Sequence, residues 1–121
     1  MLTNQKLPAF EKDLKGLLKR FRTLEKDLEI FIQVQLELFH TQHIDNGGIV
    51  QIPGLAVPSH IKIFKARKFA CRALKGSGSK SGMRIIYAYF EAEERVEFVE
   101  LYFKGDKGLE DRERVLRLYP R

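Results

Sequence analysis

Residues 82–103 read GMRIIYAYFEAEERVEFVELYF. Met83–Phe90 is dense in Ile and Tyr and predicts a strand. EAEE (91–94) is a turn, and Arg95–Phe103 is a second strand, so the stretch is an antiparallel hairpin. Upstream, GSGSKSG (76–82) is a flexible connection, and residues 60–75 have the period of strands, one long and bent or two short. Downstream, KGDKG (104–108) is a loop, and Leu109–Leu118 is a short helix with Val115 and Leu118 facing inward.

The N-terminal part has a different period. Across residues 8–39, Phe10, Leu14, Leu17, Leu18 and Phe21 fall on one helical face, with Lys12, Lys15, Lys19 and Arg20 on the other. Pro8 suits a first helical turn, where its missing N–H costs nothing. Thr23 is a candidate N-cap for a second helix, accepting from N–H groups of the next turn, with Glu25 and Asp27 near the positive end of its dipole. Leu24, Leu28, Phe31 and Leu38 continue the apolar stripe, although Phe31–Phe39 also alternates in places, as a strand does. Residues 41–59 are punctuated by Gly47, Gly48, Pro53, Gly54 and Pro58 and read as a loop, long enough to hide a strand in IVQI. The expected fold class is α+β: an N-terminal helical hairpin packed on a small antiparallel sheet, with a short C-terminal helix.

A chain of 121 residues with 44% hydrophobic residues predicts one folded domain, 1–121, rather than two domains or a disordered chain. Lys and Arg number 22 against 16 Asp and Glu, a net charge of +6, which favours anionic partners without proving them. Cys71 is the only cysteine, so no internal disulfide forms, as fits a reducing cytoplasm. The start, MLTNQKLPAF, has no apolar signal core, and no apolar run nears the roughly 20 residues a membrane helix needs. The expectation is a soluble, cytoplasmic protein with no membrane partner.

Several motifs invite sharper readings. GSGSKSG fails as a phosphate loop, because Ser79 rather than Gly precedes Lys80 and the segment joins two strands. His40 and His43, with Asp45 nearby, fall short of the four ligands of a zinc site, and helix-end or loop histidines are the simpler reading; no metal or cofactor is expected. Cys71 has no histidine near it in sequence and reads as a small hydrophobe rather than a nucleophile. The cations are the stronger signal. Lys65, Arg67, Lys68, Arg72 and Lys75 recur before the hairpin, with Arg84 in it and Lys104 and Lys107 after it. Edge lysines that block aggregation explain Lys62, Lys65 and Lys68. They do not explain Arg84, which lies between Met83 and Ile85 and calls for a planar anion, either a phosphate or a structural partner such as Glu97 or Glu100. Tyr87, Tyr89 and Tyr102 read as core or sheet residues, whereas Tyr119, past the last helix, is placed to stack on a base or donate a proton.

The pattern KIFKARKF…LKG…SGMRIIYAY…VEFVELYFKGDKG resembles the core of RelE/ParE toxins of toxin–antitoxin pairs, and FEKDLKGLLKRFRTLEKDLEIF resembles that family's packed helices. Met83 stands at the position that is aromatic in the family's G-aromatic-R strand, GSGSKSG is longer than its usual turn, and no histidine falls in the presumed site. The resemblance implies a metal-independent endoribonuclease acting on mRNA in the ribosomal A site. A ribose 2′-OH would attack the adjacent phosphate, which takes a base, charge stabilisation and an acid. By position, Lys75 would be the base, Arg84 would hold the scissile phosphate and Tyr119 would match the C-terminal aromatic. Arg67, Lys68, Arg72, Lys80, Lys104 and Lys107 would bind RNA phosphates. The implied partners are a cognate antitoxin, mRNA on the ribosome and, through the antitoxin complex, operator DNA. A ParE-like inhibitor of DNA gyrase and an inactive antitoxin-binding relative share the fold and remain alternatives.

Overall fold

The computed structural model describes residues 2–45, 47–67, 69 and 82–121. Its centre is the hairpin of β4 (Met83–Phe90) and β5 (Arg95–Phe103), with the bounds the sequence predicts. A short 3₁₀ turn, Glu91–Glu93, joins the two strands, and Glu94 adopts the left-handed conformation at φ 48°. The register shifts between Ile86 and Tyr87, where Val99 is the extra residue on β5. That bulge turns Val99 and Glu100 in succession towards the C-terminal helix.

β3 (Lys62–Ala66) pairs antiparallel with β4, and β2 (Ile49–Gln51) pairs antiparallel with β3. The strand expected within IVQI is β2. β1 (Thr3–Lys6) lies parallel to Arg95–Phe98 of β5, giving a mixed sheet of order β1-β5-β4-β3-β2. This corrects the expectation of a purely antiparallel sheet behind an N-terminal helix. TNQK has no apolar residue and three of its four side chains are exposed, so the pattern that marks a strand is missing.

Helix α1 (Pro8–Leu18) begins at Pro8 and buries Phe10 and Leu14 against the sheet. Helix α2 (Leu24–Ile30) continues through a π-helical turn, Phe31–Leu36, into α3 (Glu37–His40). The wider turn carries the buried stripe from Phe31 to Leu36, a five-residue step that leaves Leu38 half-buried. The strand alternative at Phe31–Phe39 is therefore not realised. Thr23 does not cap: its hydroxyl donates to Asp27 Oδ2 at 2.7 Å. The last helix, α4 (Arg112–Leu118), is capped by Asp111, whose Oδ1 accepts from Arg114 N at 3.0 Å. Val115 is buried as expected, but Leu118 is 41% exposed, against the expectation that it points inward.

Both faces of the sheet are covered. Helices α1–α3 pack on one face around Phe10, Phe31, Tyr87 and Phe98, while α4 and the 52–61 segment pack on the other around Ile63, Ile86, Val99 and Val115. Double coverage explains why β4 is almost continuously apolar rather than alternating.

Candidate functional site

The α4 face of the sheet gathers several of the candidate cations. Lys65 on β3 stands opposite Ile86, and Arg84 on β4 stands opposite Tyr102 on β5, so all four share one pleated face. Gly82, at φ 89°, makes the turn into β4 that only glycine tolerates well, and its carbonyl accepts from Lys104 N at 2.8 Å. Lys104 thus sits two ladder positions beyond the Arg84–Tyr102 pair, on the same side of the strand. Lys107 lies over the Tyr102 ring at 5.3 Å, and Lys65 approaches the same ring at 5.9 Å.

Two of these cations are neutralised within the protein. Lys65 Nζ binds Glu110 Oε1 at 2.9 Å, and Lys107 binds the buried Glu100. Burial pulls Lys65 down, but the Glu110 carboxylate and the Tyr102 phenol outweigh it, and its pKa lies above the ordinary lysine value. Burial raises Glu110, but Lys65 and Arg112 outweigh it and hold the carboxyl below its usual value. Lys65 therefore remains a protonated ammonium, and the pair is an ion pair rather than a shared neutral proton.

Arg84 is different. One of its guanidinium nitrogens donates to the carbonyls of Arg67 at 3.2 Å and Met83 at 3.3 Å, and no carboxylate pairs with it among the described residues. Its two candidate structural partners are committed elsewhere. Glu97 takes Arg95 and the Tyr119 hydroxyl, and Glu100 takes Lys107 and the Asp111 N–H. The structural ion pair is thus not formed among the described residues. Arg67 and Lys104 are likewise without a carboxylate among the described residues. Three cations around one strand end, none neutralised there, is an arrangement that attracts a phosphate backbone.

Tyr119 does not join them. It is 8% exposed, its hydroxyl donates to Glu97 Oε1 at 2.6 Å, and its ring packs edge-on to Phe90. Burial and the Glu97 carboxylate push its pKa well above the ordinary phenol value. Phe90 lies six residues along β4 from Arg84, about 20 Å at the rise of a strand. The sequence placed this phenol free beyond the last helix; the structure instead buries it and holds it on a carboxylate towards the other end of β4 from Arg84. Lys68, Arg72, Lys75, Lys80 and Cys71 lie outside the described residues. Tyr102 was passed over in the sequence as a sheet residue, yet it lies between both lysines, with its hydroxyl buried. Its facing partner, Arg84, was the available signal. Among the described residues no cluster of His, Cys, Asp and Glu is arranged to hold a metal ion, and no helix is long and apolar enough to cross a membrane.

The architecture has the RelE toxin fold. A chain of the crystal structure of the archaeal RelE–RelB complex from Pyrococcus horikoshii OT3 matches it with a TM-score of 0.51 and 13% identity, covering 86% of this chain and 96% of that one. At that identity the likeness is one of fold. No protein-family model and no curated protein matches the sequence.

Proposed function

We propose that this chain is the toxin of a toxin–antitoxin pair and that it cuts mRNA on the ribosome without a metal ion. The observation that carries the proposal is Arg84: a half-buried guanidinium with only carbonyl partners among the described residues, two ladder positions from Lys104 and bonded to the Arg67 backbone. In this reading Arg84 neutralises the phosphorane formed when a ribose 2′-OH attacks the adjacent phosphorus and the 5′ oxygen leaves. Arg67 and Lys104 hold neighbouring phosphates. Lys75 takes the 2′-OH proton, the departing 5′ oxygen is protonated by solvent water, and Lys68, Arg72, Lys80 and Lys107 extend the RNA contact, roles of the lysines and arginine that rest on the sequence resemblance. Tyr119 plays no part in the reaction. The protein would be cytoplasmic. Its partner would be an antitoxin laid across the cationic face as a helix or strand, as RelE is complexed with RelB in the matching structure, and the pair would bind operator DNA through the antitoxin.

A gyrase-binding toxin without nuclease activity is the second reading. It is favoured by the neutralisation of Lys65 and Lys107 and by the upward shift of Lys65, which keeps that residue protonated and unavailable as a base. Purified protein added to ribosomes translating a defined mRNA, with 5′ ends mapped by primer extension, separates the two. Cuts at the A site that need ribosomes and vanish in Arg84→Ala support the nuclease. Growth arrest by the folded protein without cuts supports the gyrase reading.

A further inference from the structure

On the opposite face of the sheet, where α3 ends, lies a cleft of about 510 Å³. That volume is in the range of small-molecule sites. Its inner wall is aromatic: Phe39, His40, Phe64 and Tyr89 line it, and the His40 ring stacks on Tyr89 with centroids 3.9 Å apart and meets Phe39 and Phe64 edge-on at 4.8 and 5.0 Å. Its rim carries three carboxylates, Asp45, Glu91 and Glu94, against one ammonium, Lys62. Lys62 engages Glu91 at 3.1 Å, and Asp45 accepts from Gly47 N at 2.7 Å, but Glu94 has no such partner among the described residues.

A second feature points into the same space. Tyr89 is 8% exposed, and its hydroxyl has no hydrogen-bond partner among the described residues. Burial first, then the negative charges of Glu91 and Glu94, raise its pKa above the ordinary phenol value. The phenol is therefore neutral and can give or accept one hydrogen bond inside a negatively charged mouth. An anion would be repelled there. A metal ion would lack a ligand cluster, since none is present among the described residues. What fits is a positive group that is itself a hydrogen-bond donor, on an apolar stem that lies against aromatic faces.

We infer that this cleft binds a small organic cation, an alkylammonium or alkylguanidinium of the polyamine class. The cationic head meets Glu94 and the Tyr89 hydroxyl, and the methylene stem covers the Phe64 and His40 rings. The site is independent of the RNA-facing cations, because it lies on the other face of the sheet and five residues along β4 from Arg84.

Isothermal titration of the full chain with agmatine, and separately with spermidine, tests the inference, with backbone amide shifts read in parallel. Saturable binding of either cation, with the largest shifts at Tyr89, His40 and Glu94, is expected. Glu94→Gln should weaken it by roughly fivefold, the scale of one exposed charge contact, and Tyr89→Phe by about threefold, with Arg84→Ala unchanged. Both cleft variants keep the ring stack and the strand, so a folded spectrum is expected of each. No saturable binding to the folded protein, or affinity unchanged in both Glu94→Gln and Tyr89→Phe, overturns it. So does binding that putrescine, agmatine and magnesium share equally and that moderate salt abolishes, since that behaviour marks unspecific charge attraction.

Discussion

On the α4 face of the central sheet, cations surround a strand end and one of them, Arg84, meets only carbonyl oxygens among the described residues. On the helix face, a few residues along the same strand, aromatic rings and carboxylates enclose a cleft. The backbone is the same; alternate residues of β4 point into the two environments. The difference teaches that net charge is a poor guide to where this protein binds. A total of +6 averages over an anionic cleft and a cationic patch that is half neutralised from within.

The largest expected effect separates the two faces by activity. Arg84→Ala should lower ribosome-dependent cutting by at least about 100-fold, the scale of losing one group that stabilises transition-state charge. Its urea midpoint should barely move, because no ion pair is broken among the described residues. If unfolding accompanies the loss, Arg84 is structural.

The second effect belongs to the helix face. Burial first, with His43 and Lys62 adding to it against Glu91, lowers the His40 pKa to about 4. In the folded protein the imidazole is neutral and hydrogen-bonded at 2.8 Å to Tyr87 Oη, whereas the unfolded chain protonates near the ordinary value of 6.5. Stability from this group is full above 6.5 and is lost as pH falls towards 4. The loss should approach about 3 kcal/mol, read from urea curves between neutral and acid pH. His40→Gln should flatten that dependence.

A smaller effect tests the placement of Tyr119. Tyr119→Phe removes the bond to Glu97 and should cost about 1 kcal/mol of stability while RNA cutting is retained. A variant of normal stability that no longer cuts would return Tyr119 to the chemistry. The smallest contrast lies within α4. Val115→Ala should cost about 2 kcal/mol, and Leu118→Ser less than about 0.5 kcal/mol, since only Val115 is buried. Thermal melts suffice to compare them.

The sequence by itself determined β4, β5, the strand within IVQI, the turn at Glu91–Glu94 and the helical character of α1 and α2. These are set by period, turn chemistry and proline, all local properties of the chain. It also singled out Arg84 as a cation needing explanation. Tertiary structure alone decided the rest, because those features depend on partners distant in the chain. β1 is a strand only because β5 offers its edge to a polar segment, and the π turn at Phe31–Leu36 shifts the buried stripe out of helical phase. Glu97 could have paired with Arg84, but it holds Tyr119 and Arg95, and that choice commits Tyr119 to the core. His40 meets Tyr87 across 47 residues of sequence, so the aromatic cleft has no local signature. A charged or aromatic side chain is visible in sequence; what neutralises or covers it is fixed only when the sheet and helices close around it.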